Sequence, residues 1–574
     1  MTFRQAPSST APTSDKKDFL LAFGRYTKTK SASLFNDNAV RVMAILLGGA
    51  SHFYVRLMFT RPCYSHNDYR KMNYTDLTGV QQSSITPRSV ALAEVELKLE
   101  IDAAGFERLM SSNLLGDPDE TVQQTSTYFD TSDNAFFAEG FTLRIRKVGD
   151  ARTQTVKATG PSASIFARSE WETAVTGDTP VIDMTSPLIN EFGDQANNVW
   201  PKFDVVNERR IWNVTENGSN IEVALDRGSV RSVDREAPII ELELELKDGK
   251  PEDLFSLARK IEGIVPVRFG VLSKAERGFR LLEAERAVVK ADPVELDRGA
   301  SACQAFQTIA SSCFRQFRLN ETILRSRRNE DSLHQARVAL RRLRSAITLF
   351  RPMLQDDEAK RLSAEFRWLA DVLGEARNID VLLPKAEAGE LRDTLAEKRT
   401  AAYDNVIEAL DSSRARALML DYNEWLHCGD YLSDAATTDA RERPAGQFAG
   451  EALDKARKKL KKHGQDLSGV DDEHRHEARK DAKKLRYAAE FFRSLFPDKR
   501  GMRRYKRFVV AMEALQDELG ALNDLATGPE VLDEHGLRGL AGADDLIVHA
   551  DKAKLIRAAQ EALDDVLDAK RFWR

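Results

Sequence analysis

Cysteine is scarce in this chain. Four occur among 574 residues (Cys63, Cys303, Cys313 and Cys428), and none forms a CxxC pair. That excludes a disulfide framework and a structural zinc site and points to a reducing, cytoplasmic compartment. Long apolar runs are also lacking. The nearest, residues 39–59, is interrupted by Arg41, Gly48, Gly49, His52 and Arg56 and follows a mostly polar stretch, so it fits neither a membrane span nor a signal peptide, and no membrane partner is expected. Charge of one sign is not in excess: 85 Lys and Arg stand against 90 Asp and Glu, a net charge of −5, so any basic surface must be local. A GxxxxGK[ST] phosphate loop is absent. Aromatic residues are sparse within the basic runs, which argues against base stacking and a specific nucleic-acid partner.

What is present is enough for several folded units: 42% of residues are hydrophobic, and the length suggests about three to four domains. Residues 1–88 are irregular, and the segment around Pro7 to Pro12 reads as disordered. This stretch is expected to be a poorly ordered extension or, the reading slightly favoured, the product of a start placed upstream of the natural one. From residue 90 the pattern becomes strand after strand: 90–101, 125–130, 141–148, 153–158, 169–175, 207–214, 220–226 and 237–246, with helices over 103–111 and 252–262. Eight strands at short spacing predict an α+β unit, an eight-stranded antiparallel β barrel or tunnel with flanking helices.

What alternates along these strands is unusual. In Glu94-Val95-Glu96-Leu97-Lys98, two carboxylates and an ammonium share one face while Val95 and Leu97 share the other. Alone, this run could equally be a solvated edge strand. Similar alternation places Arg144 with Arg146, Glu170 with Glu172, and Glu241, Glu243 and Glu245 together, with Lys157, Glu222 and Asp226 on strands between. If the apolar faces pack outward, carboxylates crowd the lumen. They repel unless divalent cations or basic side chains lie between them. Lumenal Lys and Arg in turn need anions, and a metal–polyphosphate complex satisfies both; in an empty barrel they would pair with the carboxylates instead.

From residue 300 the texture is helical, and two segments recur. His334, Arg337, Arg341 and Arg344 match His476, Arg479, Lys483 and Arg486, and a second pair, starting at Leu369 and Leu515, follows in each half, about 140 residues apart. Within each set the four basic residues fall on one helical face. A solvated surface is the common meaning of such a run, but recurrence with a histidine at the same place favours polyanion binding, since closely spaced cations suit a chain of phosphates. Lys455 to His463 and Arg500 to Arg507 add positive charge.

These residues carry two resemblances. Residues 89–288 resemble the CYTH superfamily of triphosphate tunnel metalloenzymes. The matching pieces are Glu94/Glu96/Lys98, Thr127 to Thr131, Leu143 to Lys147, Lys157, Glu170-Trp171-Glu172, the Glu241/Glu243/Glu245 strand and Ser273 to Gly278. Residues 297–574 resemble the CHAD domain, an all-α duplicated helical bundle associated with polyphosphate, with halves at about 297–430 and 440–574. The combination is similar to bacterial inorganic triphosphatases. The resemblance implies Mg²⁺ or Mn²⁺ held by Glu94, Glu96, Asp226, Glu243 and Glu245. It implies phosphate-gripping roles for Lys98, Arg144, Arg146, Lys157 and Lys274, with Arg210 and Arg277 as weaker candidates. Glu94, Glu96, Lys98, Glu170 and Glu172 would form the catalytic group, and His334, Arg337, Arg341, Arg344, His476, Arg479, Lys483 and Arg486 the polyphosphate site. The implied reaction is metal-dependent hydrolysis of inorganic triphosphate to diphosphate and phosphate. Thiamine or nucleoside triphosphatase, a class IV-type adenylate cyclase, and a non-catalytic polyphosphate-binding protein are the alternatives.

Overall fold

The computed structural model describes residues 46–47, 54–55, 95–158, 169–183, 186–546 and 551–574. The expectations for most of residues 1–88, and for Glu94, lie outside the described residues. The chain falls into two units, 1–88 and 89–574. In the first, Leu46–Leu47 pairs antiparallel with Tyr54–Val55.

The second unit begins with a sheet of nine strands: β1 (Val95–Glu100), β2 (Glu120–Asp130), β3 (Phe141–Val148), β4 (Ala151–Ala158), β5 (Ser169–Ala174), β6 (Trp200–Glu216), β7 (Ser219–Arg231), β8 (Glu236–Asp248) and β9 (Arg268–Phe269). Their order is β9-β1-β8-β7-β6-β2-β3-β4-β5, every pair antiparallel. The expected eight-stranded closed barrel is corrected here. The second edge of β1 is taken by the two-residue β9, so β1 and β5 do not pair and the sheet among the described residues is open. β6, β7 and β8 are also longer than the expected segments.

Strand alternation sorts the side chains. On one face Leu97, Leu99, Val223, Leu225, Leu242 and Leu244 are buried against α1 (Ala103–Ser111) and α4 (Glu252–Glu262), in a core continuous with the helical half. Farther along that face, Phe129, Leu143, Ile145 and Val156 pack with Phe136 of α2 (Ala135–Ala138) and Leu188 of α3 (Pro187–Phe192). The opposite face carries the charges. One end of it is stoppered by α5 (Lys274–Leu282), whose Ala275 and Phe279 join Tyr128, Phe203, Val205, Val230 and Ile239. Gly278 permits this seat, because a Cβ there would lie 1.9 Å from the Phe203 ring.

The remaining chain is helical: α6 (Ala302–Ser326), α7 (Glu330–Leu349), α8 (Asp357–Leu382), α9 (Glu390–Asp411), α10 (Ser413–Cys428), α11 (Thr438–Arg441), α12 (Ala445–His463), α13 (Asp472–Phe492), α14 (Lys499–Glu534) and α15 (Lys552–Asp568). The two recurrent basic segments are α7 and α13. They pack on each other through Arg342, which donates to Glu490 at 2.6 Å and lies over the Phe491 ring. Among the described residues no helix is long and apolar enough to cross a membrane.

Candidate functional site

Register assembles the charged face. Opposed residues in an antiparallel pair point the same way. Glu96 lies opposite Glu245, Lys98 opposite Glu243, and Glu100 opposite Glu241. Glu245 in turn lies opposite Glu222 and Glu241 opposite Asp226, which faces Arg209 on β6. Beyond β2, Arg144 and Arg146 share this face through their pairing with Tyr128 and Ser126. Lys157 and then Glu170 and Glu172 extend it to the β5 edge.

At its centre Asp226, Glu241 and Glu243 converge, one oxygen of each lying within 4.8 Å of the others. Three cations hold them. Lys274 Nζ reaches Asp226 at 2.7 Å, Glu241 at 2.5 Å and Glu243 at 3.0 Å. Lys98 Nζ lies 2.5 Å from Glu243 and 3.7 Å from Glu241. Arg209 donates to Asp226 at 2.8 and 2.6 Å and to Glu243 at 2.5 Å. Burial alone would raise the three carboxyl groups, but Lys274, with Lys98 or Arg209 beside it, holds all three below the ordinary range. Burial would likewise depress the two ammonium groups, yet the same carboxylates keep Lys98 and Lys274 above their ordinary value. Arg277 joins the edge of this group through Glu100 and lies 3.6 Å from Glu241.

The basic side is less balanced. Lys157 pairs with Glu170 at 2.7 Å, and Arg144 lies 3.9 Å from the same carboxylate. Arg146 forms no ion pair among the described residues, and its buried Nε has no hydrogen-bond partner. Burial first, then Arg144 and Arg209, lowers the Arg146 guanidinium to about 10. Half-buried and without an ion pair among the described residues, the Arg146 guanidinium keeps the capacity to pair with an anion. Glu172 is exposed and accepts from Thr155 at 3.1 Å.

Two expectations change. Arg210 points to the other face, where it pairs with Glu208 at 2.8 Å and lies over the Phe106 ring; its neighbour Arg209 is the residue on the charged face. The signal was present in alternation: Arg210 shares its face with the core residue Trp212, whereas Arg209 shares with Asn207. Glu245 does not join the central carboxylates. It pairs with Lys247 at 2.7 Å, one row away beside Glu222 and Glu96, and Glu241 takes the place expected for it.

In the helical half, Arg337, Arg341 and Arg344 of α7 and His476, Arg479 and Lys483 of α13 line a single cavity of about 510 Å³, with Asp371 and Asp524 at its wall. None of its three α7 arginines, nor Arg479 or Lys483, forms an ion pair within 4.0 Å among the described residues, and the buried Nε of Arg337, Arg344 and Arg479 are unbonded. Burial, then Arg341, Arg479 and Arg337, depresses the Lys483 ammonium to about 6. His334 and Arg486 do not line the cavity. His334 is held low by burial and by Arg377, Arg341 and Arg337, and Arg486 pairs with Glu490 at 3.2 Å.

Residues 92–279 match the CYTH domain model, and residues 308–533 match the CHAD domain model. The chain is 31% identical over 206 residues to an inorganic triphosphatase of Haemophilus influenzae, a match covering 34% of this chain and 56% of that protein. It is 28% identical over 178 residues to an uncharacterized protein of Mycobacterium tuberculosis, covering 28% of this chain and 34% of the other. It thus spans about half, or less, of the length of these curated relatives. Among solved structures it is similar to the CHAD domain from the plant Ricinus communis, with 28% identity, a TM-score of 0.41, and coverage of 48% of this chain and 96% of that one.

Proposed function

We propose that this chain, a CYTH domain followed by a CHAD domain, hydrolyses inorganic triphosphate to diphosphate and phosphate on the charged face of its sheet, and that the basic cavity of its helical half binds polyphosphate. The observation carrying this reading is the juxtaposition of the Asp226/Glu241/Glu243 cluster with a cationic wall whose Arg146 has no ion pair among the described residues, all on one face. Pure anion binding gains nothing from three converging carboxylates, two of them buried and the third half-buried. A phosphate chain that arrives with a cation uses both halves of the face.

The donor set fits Mg²⁺ or Mn²⁺. All three groups offer hard oxygens, and the buried Glu241 Oε2 has no hydrogen-bond partner. Asp226, Glu241 and Glu243 would hold the ion, with Glu96 and Glu245 in the next row. When bound, such an ion neutralises charge on phosphate oxygens and polarises the anhydride. The protein's own part is positioning. Arg146, Arg144 and Lys157 grip the phosphate oxygens and stabilise charge on the departing diphosphate. Lys98, Lys274 and Arg209 are released in part from the carboxylates and turn toward the substrate. Glu170, drawn back by Lys157, and the exposed Glu172 orient water at the open β5 edge.

A substrate panel tests the reading. The purified full chain is given inorganic triphosphate, ATP or thiamine triphosphate, each with Mg²⁺ or Mn²⁺, and phosphate and cyclic AMP are measured. Triphosphate is expected to be the preferred substrate. Phosphate release from none of the three overturns hydrolysis, and cyclic AMP from ATP assigns the face to a cyclase instead.

A further inference from the structure

The residues that place Lys274 belong in part to the helical half. Lys274 opens α5, and of the residues leading to it 269 and 270 lie along β1. Phe269 pairs with Leu99, and the Gly270 amide donates to the Lys98 carbonyl at 2.9 Å. A Cβ at Gly270 would sit 2.7 Å from Lys98 Cγ, so a larger residue here would displace the Lys98 side chain. Ser273 and Glu276 close a capping box over the first turn.

Helix α6 of the helical half holds this segment at three points. Arg318 Nε donates to the Phe269 carbonyl at 3.1 Å. Arg315 donates through one amino group to the Val271 carbonyl and through the other to Glu276 Oε1 at 2.6 Å. Arg318 is almost fully buried, paired with Glu321, and lies 3.9 Å from Glu100, the carboxylate that Arg277 also engages. One guanidinium therefore ties the loop backbone to the capping carboxylate of α5, and its neighbour ties the same loop to the β1 edge.

We propose that Arg315 and Arg318 are positioning residues for the charged face: the helical half completes it by fixing segment 269–277, from which Lys274 reaches Asp226, Glu241 and Glu243 and Arg277 reaches Glu100. The proposal rests on the triphosphatase reading for its kinetic consequence, but not for its structural one. Displacement of an aligned group by about 1 Å costs up to about a hundredfold in rate, so loss of the Arg315 tether is expected to be felt at the substrate.

The test uses the full chain and Arg315→Gln, Arg315→Lys, Lys274→Gln and Lys274→Gln/Arg315→Gln variants. Arg315→Gln is expected to lower kcat/KM for triphosphate at least about tenfold, to leave polyphosphate binding by the cavity unchanged, and to speed hydrogen exchange of the amides in 270–277. Arg315→Lys, which keeps a cation beside Glu276, is expected to recover part of the activity, and it carries the test if Arg315→Gln does not fold. The double variant is expected to be no slower than Lys274→Gln alone. Wild-type kinetics in Arg315→Gln, or a loss that adds in full to that of Lys274→Gln, overturns the proposal. If the wild-type chain itself releases no phosphate, the triphosphatase reading fails separately. Hydrogen exchange then decides: unchanged protection of 270–277 in Arg315→Gln (or in Arg315→Lys, should the first variant not fold) overturns the tether, and faster exchange there supports it.

Discussion

Arg209 and Arg210 are neighbours in sequence with opposite environments. Arg209 Nη2 lies 2.6 Å from Asp226 Oδ2 on the charged face, while Arg210 lies over the Phe106 ring on the other. The pair therefore separates a site role from a surface role within one peptide unit. Arg209→Gln is expected to lower kcat/KM for triphosphate by about a hundredfold or more, the scale of removing a group that stabilises developing charge. Arg210→Gln is expected to stay close to wild type. Steady-state phosphate release measures both, and the reverse ranking would remove Arg209 from the site.

The central carboxylates predict both metal affinity and acid stability. Asp226→Asn, Glu241→Gln and Glu243→Gln should each weaken Mn²⁺ binding by calorimetry, and Glu245→Gln should do so far less. Each change at the centre removes one carboxylate from a shared network in which Lys98, Lys274 and Arg209 each keep another partner. The expected loss is therefore below the cost of stranding a buried charge, about 3–5 kcal/mol, and denaturant unfolding reads it directly.

The sign of the pH effect follows from the depressed carboxyl values. An unfolded carboxyl titrates near about 4, and the folded groups titrate lower. Between the folded and unfolded values the unfolded state binds more protons, so the stability these groups contribute is fully present above about pH 5 and lost as pH falls through their folded values. The melting temperature of the wild-type chain should drop more steeply than that of Glu243→Gln between about pH 5 and 3. Parallel profiles would contradict the assigned ion pairs.

Lys483 predicts a proton taken up on binding. It stands where the other repeat carries Arg341, and among the basic side chains around it (Arg337, Arg341, Arg479) it is the one that can lose a proton near neutrality; Asp524 is the acid near it. Burial among those arginines lowers it to about 6, and a polyanion in the cavity reverses the sign of the local field. At pH 8 the free protein lacks the proton and the complex holds it, so affinity should fall as pH rises above about 6. Calorimetry with polyphosphate in buffers of different ionisation enthalpy should give about one more proton taken up by wild type than by Lys483→Arg, a difference from which any uptake at His476 in the same cavity cancels.

Much of the face was legible because a strand repeats every two residues. Glu96 with Lys98, Arg144 with Arg146, and Glu170 with Glu172 need only alternation to share a side, and the basic faces of α7 and α13 need only helical spacing and their recurrence. What alternation leaves open is register. It puts Glu241, Glu243 and Glu245 together on one face, but which two meet Asp226 depends on the pairing of β8 with β7. Arg209 and Arg210 differ only in phase, which the Trp212 environment decides. The two-residue β9, and the reach of Arg315 and Arg318 across more than forty residues of sequence, depend on tertiary contacts that no local pattern encodes.

The most direct test of triphosphate hydrolysis on this face is a ³¹P NMR time course of inorganic triphosphate with the full chain and Mg²⁺. The account predicts diphosphate and phosphate appearing in equal amounts, with the Glu243→Gln protein inert under the same conditions. Triphosphate signals that persist unchanged with either Mg²⁺ or Mn²⁺, or turnover by Glu243→Gln at the wild-type rate, would contradict it.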